Sequence, residues 1–196
     1  MSKKILMISG SPRKDGNTAF LVEWFAEGAR STGAQVDIVR AADLERKAAG
    51  CTSCRACQKS AVYRCVIKDE VSDCLARFQG VDVIVMASPL YFYGASSQLK
   101  GVMDRMFSLY KWDNAAGTMQ TPLKGKAFVF LGSGYEDIGL DVFERPFQLT
   151  AEYTKMTYAS LVVGNAGESG DIIKLPGVRK QACELGARIA RFVESE

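Results

Sequence analysis

The fold of this chain is decided by the apolar run Ile5-Leu-Met-Ile8 and the polar run that follows it, Ser9-Gly-Ser-Pro-Arg-Lys-Asp-Gly-Asn-Thr18. A short, continuous apolar run is typical of a β-strand that is covered on both faces. After the polar run, apolar residues recur at helical spacing from Leu21 to Ala29 and stop near Gly33, a plausible helix end. The order strand, polar loop, helix predicts the first unit of an α/β sheet.

The rest of the chain repeats this alternation. Further strands are predicted at Val36–Val39, Val81–Met86, Ala127–Leu131 and Ala159–Val163. Further helices are predicted at Val71–Phe78, Leu99–Tyr110, within Asp141–Lys155, and at Val178–Val193. Such alternation predicts a flavodoxin-like three-layer α/β/α sandwich with a five-stranded parallel sheet of order 2-1-3-4-5. We expect a single domain over residues 1–196, with a cysteine-rich loop at about 41–68.

Composition excludes several classes of function. The 25 Lys+Arg residues and 22 Asp+Glu residues give a net charge of +3, which is too small to indicate a nucleic-acid binder. No apolar run approaches the roughly 20 residues needed to cross a bilayer. The run at Ile5–Ile8 is too short for a signal peptide. We therefore expect a cytoplasmic protein that binds neither nucleic acid nor membrane.

The chain contains no histidine. This excludes Ser-His-Asp and Cys-His catalysis, histidine zinc sites and haem held by a proximal histidine. Chemistry must therefore come from thiols, carboxylates, backbone donors or a bound cofactor.

The polar loop after the first strand is the first candidate site. A doubly wound sheet of this order binds its ligand at the carboxyl ends of strands one and three. The loop leads into a helix N-terminus, where free N–H groups and the helix dipole favour an anion. It lacks the lysine of a Walker loop and does not match G-x-G-x-x-G. We interpret it as a phosphate cradle for a mononucleotide; a polar turn with an Asn or Thr N-cap is the alternative.

The loop after the third strand is the second candidate site. Its sequence is Ser88-Pro-Leu-Tyr-Phe-Tyr-Gly94. Exposing three aromatic rings to water in one loop is unfavourable unless another group covers them. A planar, uncharged ring system would suit them; a subunit interface or a locally packed loop are the alternatives. Phe107, Tyr110 and Trp112 extend the aromatic surface, so we expect a homodimer or homotetramer.

Three motifs together resemble the NADPH-dependent FMN reductase family. They are Gly10-Ser-Pro-Arg-x-x-Gly-Asn-Thr18, Pro89-Leu-Tyr-Phe-Tyr-Gly94 and Gln98-Leu-Lys-x-x-x-Asp-Arg105. The resemblance implies that the FMN phosphate is held by Ser9, Ser11, Arg13, Gly16, Asn17 and Thr18. It implies that the isoalloxazine and ribityl chain lie along Pro89, Leu90, Tyr91, Phe92 and Gly94, with Ser133 and Gly134 closing the crevice. Asp104 and Arg105 are interpreted as an ion pair that organises their helix, or as purely structural residues.

Four of the six cysteines lie close together in the sequence. Their spacing is Cys51-x2-Cys54-x2-Cys57-x7-Cys65, and the segment from Cys51 to Lys68 holds four basic residues and no acidic one. Runs of this kind bind cubane iron–sulfur clusters, whereas structural zinc usually takes two C-x2-C pairs with a longer spacer. The chain is similar to the iron–sulfur flavoprotein branch of the family. We expect a [4Fe-4S] cluster, with zinc or free, redox-active thiols as alternatives, and core positions for Cys74 and Cys183.

The resemblance implies an FMN-dependent oxidoreductase. Electrons would pass between FMN, the cluster and an electron donor, either NAD(P)H or a ferredoxin-type protein. One alternative is an NAD(P)H-dependent FMN, quinone or nitro reductase without a cluster. A second is a non-catalytic flavodoxin-type electron carrier, which the computed pI of about 8.5 disfavours. A nucleotide-binding regulatory module is a third.

Overall fold

The computed structural model describes residues 2–113 and 115–191. Its strands are β1 (Lys4–Ser9), β2 (Gln35–Arg40), β3 (Val83–Tyr91), β4 (Gly94–Ala95), β5 (Lys111–Asp113), β6 (Thr118–Gln120), β7 (Ala127–Ser133) and β8 (Thr157–Val163). Five parallel strands form the central sheet in the order β2-β1-β3-β7-β8. Since these are the five predicted strands, the predicted order 2-1-3-4-5 is confirmed.

Helices cover both faces of the sheet. They are α1 (Asn17–Arg30), α2 (Glu70–Ala76), α3 (Ser97–Arg105), α4 (Leu140–Thr154), α5 (Asp171–Lys174) and α6 (Val178–Ala190). Alternate residues of each strand face opposite layers. Ile5 and Met7 of β1 pack in the core under α1 and α6, whereas Leu6 and Ile8 pack in the core under α2, α3 and α4. The three-layer α/β/α sandwich is therefore confirmed.

Several boundaries differ from the prediction. β3 continues past Met86 to Tyr91, so half of the predicted aromatic loop is strand. The predicted helix Leu99–Tyr110 is α3, which ends at Arg105 and continues as a 3-10 turn. The predicted end of the last helix, at residues 192 and 193, lies outside the described residues. Within the described part of the chain, no helix has the length and apolar character that crossing a bilayer requires.

The two isolated cysteines lie in the two cores. Cys74 is buried, and burial raises the pKa of its thiol to about 11. Cys183 is half-buried where α1 and α6 pack closely: a Cβ on Gly28 would lie 1.9 Å from the Cys183 carbonyl oxygen. Both thiols therefore pack with the helices, as predicted.

A buried ion pair joins α3 to the start of α2. The Arg105 Nη1 and Nη2 atoms each donate to an Asp69 carboxylate oxygen at 2.8 Å, and the two side chains are 1% and 2% exposed. The predicted pair between Asp104 and Arg105 is therefore wrong; Asp104 pairs with Lys100 on the helix surface. Adjacent helical residues point in different directions, whereas residues four apart share a face.

Asp69 also contacts two further parts of the structure. It caps α2 by accepting from the Ser72 N–H at 3.0 Å, and it accepts from the Lys47 N–H at 2.9 Å. Burial acts to raise the pKa of Asp69, but the hydrogen bonds from Arg105, Lys47 and Ser72 outweigh it and lower that pKa to about 2. The carboxylate thus fixes both ends of the long loop that follows β2.

The substitution Asp69→Asn should lower the free energy of unfolding by about 3–5 kcal/mol, because it leaves the Arg105 guanidinium buried without its counter-charge. Urea denaturation at neutral pH measures the loss. The matched control Asp104→Asn, on an exposed pair, should change stability by no more than about 0.5 kcal/mol. Equal losses in the two variants would contradict the assignment.

The same pair predicts an acid dependence. The pKa of Asp69 falls from an ordinary 3.8 to about 2 on folding, so its contribution is complete above pH 3.8 and is lost as the pH falls through 2. Between these pH values the wild-type protein should lose stability more steeply than Asp69→Asn in the same urea titration.

Candidate functional site

The polar loop after β1 is pinned across the carboxyl ends of β1 and β3. We call residues 9–18 the phosphate loop. The Gly10 N–H donates to the Ala87 carbonyl at 2.7 Å, and the Ser96 hydroxyl donates to the Gly10 carbonyl at 2.7 Å. A Cβ on Gly10 would lie 2.5 Å from the Leu99 Cβ. Glycine is therefore required there to let the loop rest on α3.

The phosphate loop brings hydroxyl groups to the N-terminus of α1. Ser9, Ser11 and Thr18 are buried, and the Thr18 and Ser133 hydroxyls lie 2.8 Å apart. Gly16 is the N-cap and supplies no side-chain cap, and the first turn of α1 has no acidic residue. The free N–H groups of a first helical turn therefore face a site that favours an anion.

Asn17 has a role that the sequence did not reveal. Its amide nitrogen donates to the Ala166 and Glu168 carbonyls at 2.7 and 2.8 Å, and its oxygen accepts from the Gly170 and Ile172 N–H groups at 3.0 and 3.3 Å. The side chain is thus committed to the segment after β8, which leaves its backbone N–H for a ligand. In the sequence, the polar, glycine-rich stretch Gly164–Gly170 is the feature that could have indicated a loop in contact with Asn17.

A strained hairpin follows β3. Phe92 and Tyr93 connect β3 to β4 with φ angles of 47° and 61°, the geometry of a type I′ turn that glycine and asparagine usually occupy. The Phe92 ring is fully exposed, and the Tyr93 ring packs beside Gly139 at the start of α4. Strain of this kind is concentrated at ligand sites, so the turn marks this edge of the sheet as functional.

The loops after β3 and β7 enclose an aromatic cleft of about 320 Å³. It is lined by Leu90, Phe92, Tyr93, Tyr135, Glu136 and Ile138. Gly134 lies between Leu90 and Leu140, where a Cβ would be 3.2 Å from the Leu90 Cδ2. The structure thus brings the predicted Leu90, Phe92 and Gly134 together, and adds Tyr135 and Ile138, which the sequence analysis did not select.

The other predicted ring-binding residues flank this cleft. Pro89 is paired with Ser133 in the β3–β7 register, and Tyr91 is paired with Gly94 in the hairpin. Arg13 is exposed on the phosphate loop. A cradle for an anion next to an aromatic cleft is an arrangement that fits a phosphorylated, planar ligand.

The four clustered cysteines line one small cavity, which we call the cysteine cavity. Arg55, Arg105, Phe107 and Ser108 also line it, and it contains no carboxylate. Cys51 and Cys54 are exposed, Cys65 is half-buried and Cys57 is buried. Among residues 2–113 and 115–191, no three cysteine or acidic side chains converge closely enough to hold a metal ion. Four thiols without carboxylate or imidazole fit an iron–sulfur cluster in donor type, although the sulfur atoms are spread apart.

The segment between Cys57 and Cys65 is tied to the turn after α3. The Gln58 amide donates to the Phe107 and Tyr110 carbonyls at 3.1 and 2.9 Å. The Lys111 ammonium donates to the carbonyls of Cys57 and Val62. These contacts hold the buried Cys57 in place, and Ser53 and Arg55, with φ angles of 54°, shape the exposed turn before it.

The surroundings shift the pKa values of the thiols in different directions. Burial raises the pKa of Cys57, whereas hydrogen bonds from the Ala56 backbone and the Thr52 side chain lower the pKa of Cys54. Burial disfavours the Arg105 charge, but the hydrogen bonds to Asp69 and the nearby Cys65 thiol outweigh it and raise the pKa of the guanidinium. Cys54 is thus an exposed thiol that converts readily to a thiolate.

A larger groove of about 990 Å³ runs beside the cysteine cavity. It is lined by side chains of both charge signs, such as Arg64, Lys68, Glu70 and Asp73, and by no aromatic ring. It therefore lacks the lining that a planar ring would need, despite its size.

The phosphate loop and the cysteine cavity are linked by α3. Ser96 caps α3 and contacts the phosphate loop, whereas Arg105, its last residue, lines the cysteine cavity. At 1.5 Å per residue, the helix separates Ser96 from Arg105 by about 14 Å. The phosphate loop and the cysteine cavity therefore lie at opposite ends of one helix.

Comparison with known proteins identifies the family of this chain. Residues 3–165 match the family described as NADPH-dependent FMN reductase. An iron-sulfur flavoprotein of Archaeoglobus fulgidus is 26% identical over 193 residues, which cover 98% of this chain and 81% of that protein. An iron-sulfur flavoprotein of Methanocaldococcus jannaschii is 37% identical over 102 residues, 52% of this chain and 51% of that protein. This chain spans about half the length of several of the relatives it matches.

A solved structure shares the fold. The FMN-dependent NADH-azoreductase from Bacillus anthracis, determined in complex with FMN, superposes with a TM-score of 0.72 at 14% identity, covering 96% of this chain and 100% of that one. At this identity the likeness shows the fold alone. The family match, by contrast, spans most of the sequence and includes the phosphate loop, the hairpin after β3 and the four clustered cysteines. The chain belongs to the NADPH-dependent FMN reductase family.

Proposed function

We propose that this chain is an FMN-dependent oxidoreductase that passes electrons between FMN and a [4Fe-4S] cluster. The observation that carries the proposal is the cysteine cavity of a chain of this family, which is lined by Cys51, Cys54, Cys57 and Cys65 and by no carboxylate. The relatives named iron-sulfur flavoproteins support the same function. The electron donor is NAD(P)H or a ferredoxin-type protein.

The phosphate loop would hold the FMN phosphate. Its ligands are Ser9, Ser11, Arg13, Gly16 and Thr18, and the backbone N–H of Asn17. The hydroxyls of Ser11 and Thr18 are buried at the N-terminus of α1, so they can donate to an anion that the helix dipole already favours. Arg13 is exposed and would cover the phosphate from solvent.

The aromatic cleft would hold the isoalloxazine ring. Of the predicted ring-binding residues, Leu90 and Phe92 line the cleft, and the others adjoin it: Pro89, Tyr91, Gly94, Ser133 and Gly134. When bound, FMN supplies hydride acceptance and one-electron release, so the protein needs no general base. The side chains of this chain position the ring and exclude water, which explains how a protein without histidine can catalyse redox chemistry.

The cysteine cavity fits a cluster better than zinc. Four basic residues, Arg55, Lys59, Arg64 and Lys68, lie in the segment from Cys51 to Lys68, and Arg55 lines the cavity, which offsets the negative charge of thiolate ligands. Cys51 and Cys54 are exposed, and their sulfur atoms would move towards Cys57 and Cys65 on ligation. Ligation would therefore bring the four sulfur atoms closer together.

The second candidate function is an NAD(P)H-dependent FMN, quinone or nitro reductase without a cluster. The spread of the sulfur atoms favours it. In that case the thiols would be free or would bind zinc, and only the aromatic cleft and the phosphate loop would take part in turnover.

The proposal includes an assembly and a compartment. Tyr91, Phe92 and Trp112 are exposed by 46%, 102% and 49%, an aromatic surface that a second copy would cover in a homodimer or homotetramer. The six cysteines are all free, which agrees with the reducing cytoplasm.

Gly10→Ala should weaken FMN binding by about tenfold or more, because the new methyl group overlaps Leu99 and displaces the phosphate loop. Titration of the flavin-free protein with FMN, followed by fluorescence quenching, measures the Kd. Gly80→Ala is the matched control, since a Cβ there meets nothing within 4 Å. An unchanged Kd in Gly10→Ala would contradict the assigned phosphate site.

Cys57→Ser should remove most of the iron from protein purified without oxygen, because it replaces a buried thiolate ligand. Iron and sulfide analysis against protein concentration measures the loss. The control Cys183→Ser, on the distant α6, should keep the wild-type content. Iron-free wild-type protein that still binds FMN would favour the reductase without a cluster.

Anaerobic stopped-flow spectroscopy tests the activity. NAD(P)H should reduce the bound FMN faster than free FMN in both the wild type and Cys57→Ser, because the hydride step uses only the aromatic cleft. Electron transfer from the reduced protein to a one-electron acceptor should be slower in Cys57→Ser than in the wild type. If NAD(P)H reduces bound FMN no faster than free FMN, the role as an NAD(P)H-dependent reductase is excluded. The electron donor is then a ferredoxin-type protein.

A further inference from the structure

The Arg105 side chain has one nitrogen atom without a hydrogen-bond partner. Its Nη1 and Nη2 atoms bind Asp69, and Nη2 also donates to the Ile67 carbonyl at 3.0 Å. The third nitrogen, Nε, is buried, and in the described ranges it is the buried side-chain nitrogen or oxygen that has no partner. A buried, unpaired donor has lost its bond to water without a replacement and is therefore rare without a function.

The unpartnered Nε belongs to a side chain that lines the cysteine cavity. Arg105 lines that cavity together with all four clustered cysteines, Phe107 and Ser108. Both Nη atoms already donate, to Asp69 and to the Ile67 carbonyl two residues after Cys65, so Nε is the nitrogen left for an occupant of the cavity. Cys65 is fixed at the same place, because its carbonyl accepts from the Ser72 hydroxyl at 2.8 Å.

We propose that Arg105 is a positioning residue for the cysteine site, whose Nε–H donates a hydrogen bond to a sulfur atom of the thiolate-bound group. The proposal rests on the proposed function, since it needs a metal or cluster in the cysteine cavity. Asp69 has the supporting role: its bidentate contact holds the plane of the guanidinium and cancels its charge. The effect on the bound group is then that of one directed N–H dipole and not of a net charge.

Two consequences follow for the bound group. Hydrogen bonds to cluster sulfur raise the reduction potential, because they stabilise the more negative, reduced form. Groups that orient metal ligands from outside the coordination shell typically contribute 10–100-fold to metal affinity. Lysine keeps the positive charge of Arg105 but lacks the planar guanidinium and its Nε–H group. The substitution Arg105→Lys therefore removes the proposed hydrogen bond and keeps the charge.

The variants Arg105→Lys and Arg55→Lys provide a matched pair. Arg55 lines the same cavity but is exposed. In the cluster-loaded protein, Arg105→Lys should lower the midpoint potential of the cluster relative to the wild type, and Arg55→Lys should leave it unchanged. In protein loaded with Cd²⁺ in place of the cluster, Arg105→Lys should weaken Cd²⁺ binding by about tenfold. Equal potentials and equal Cd²⁺ affinities in the two folded variants would overturn the proposal.

A measurement on the wild type covers the case in which Arg105→Lys fails to fold. Protein labelled with ¹⁵N-arginine and loaded with ¹¹³Cd²⁺ should show one slowly exchanging Nε–H resonance that shifts on loading and couples to the metal. Cadmium binding without any such shift would overturn the role of Arg105 and leave the proposed cysteine site intact. Absence of Cd²⁺ and iron binding in the wild type would overturn both.

Discussion

The ion pair between Asp69 and Arg105 connects the long loop after β2 to the rest of the fold. Burying two charges is unfavourable unless each is paired and hydrogen-bonded, and here the carboxylate accepts from Arg105, Lys47 and Ser72. Through these contacts one residue caps α2, anchors the start of the loop and fixes the end of α3. The cysteine segment has little apolar core of its own, so its position depends on this pair and on the contacts of Gln58 and Lys111.

The helix α3 relates the two sites to each other. Its N-terminal cap Ser96 bonds to the Gly10 carbonyl of the phosphate loop, and its last residue, Arg105, lines the cysteine cavity. One helix thus contacts both the phosphate loop and the cysteine cavity. The phosphate loop lies at the carboxyl ends of a doubly wound sheet, and the cysteine cavity lies on the long loop after β2.

Much of the fold followed from the sequence because its signals are local. Apolar runs predicted the five strands, and their alternation with helices predicted the order of the sheet. The anion site that the motif around Gly10 indicates stays a prediction. The partners of Asn17 and Arg105 were not predictable, because each bonds to residues far away in the chain, Ala166 and Asp69. The spacing of Cys51, Cys54, Cys57 and Cys65 predicted that they share a site, but not the spread of their sulfur atoms, which depends on the backbone turns between them.

The central claim is that one chain carries both a flavin and a cluster. An anaerobic reductive titration, followed in the visible spectrum, counts the electrons that each chain accepts. The account predicts about three, two taken up by the flavin and one by a [4Fe-4S] cluster. Uptake of about two electrons, with flavin bleaching alone, would contradict it.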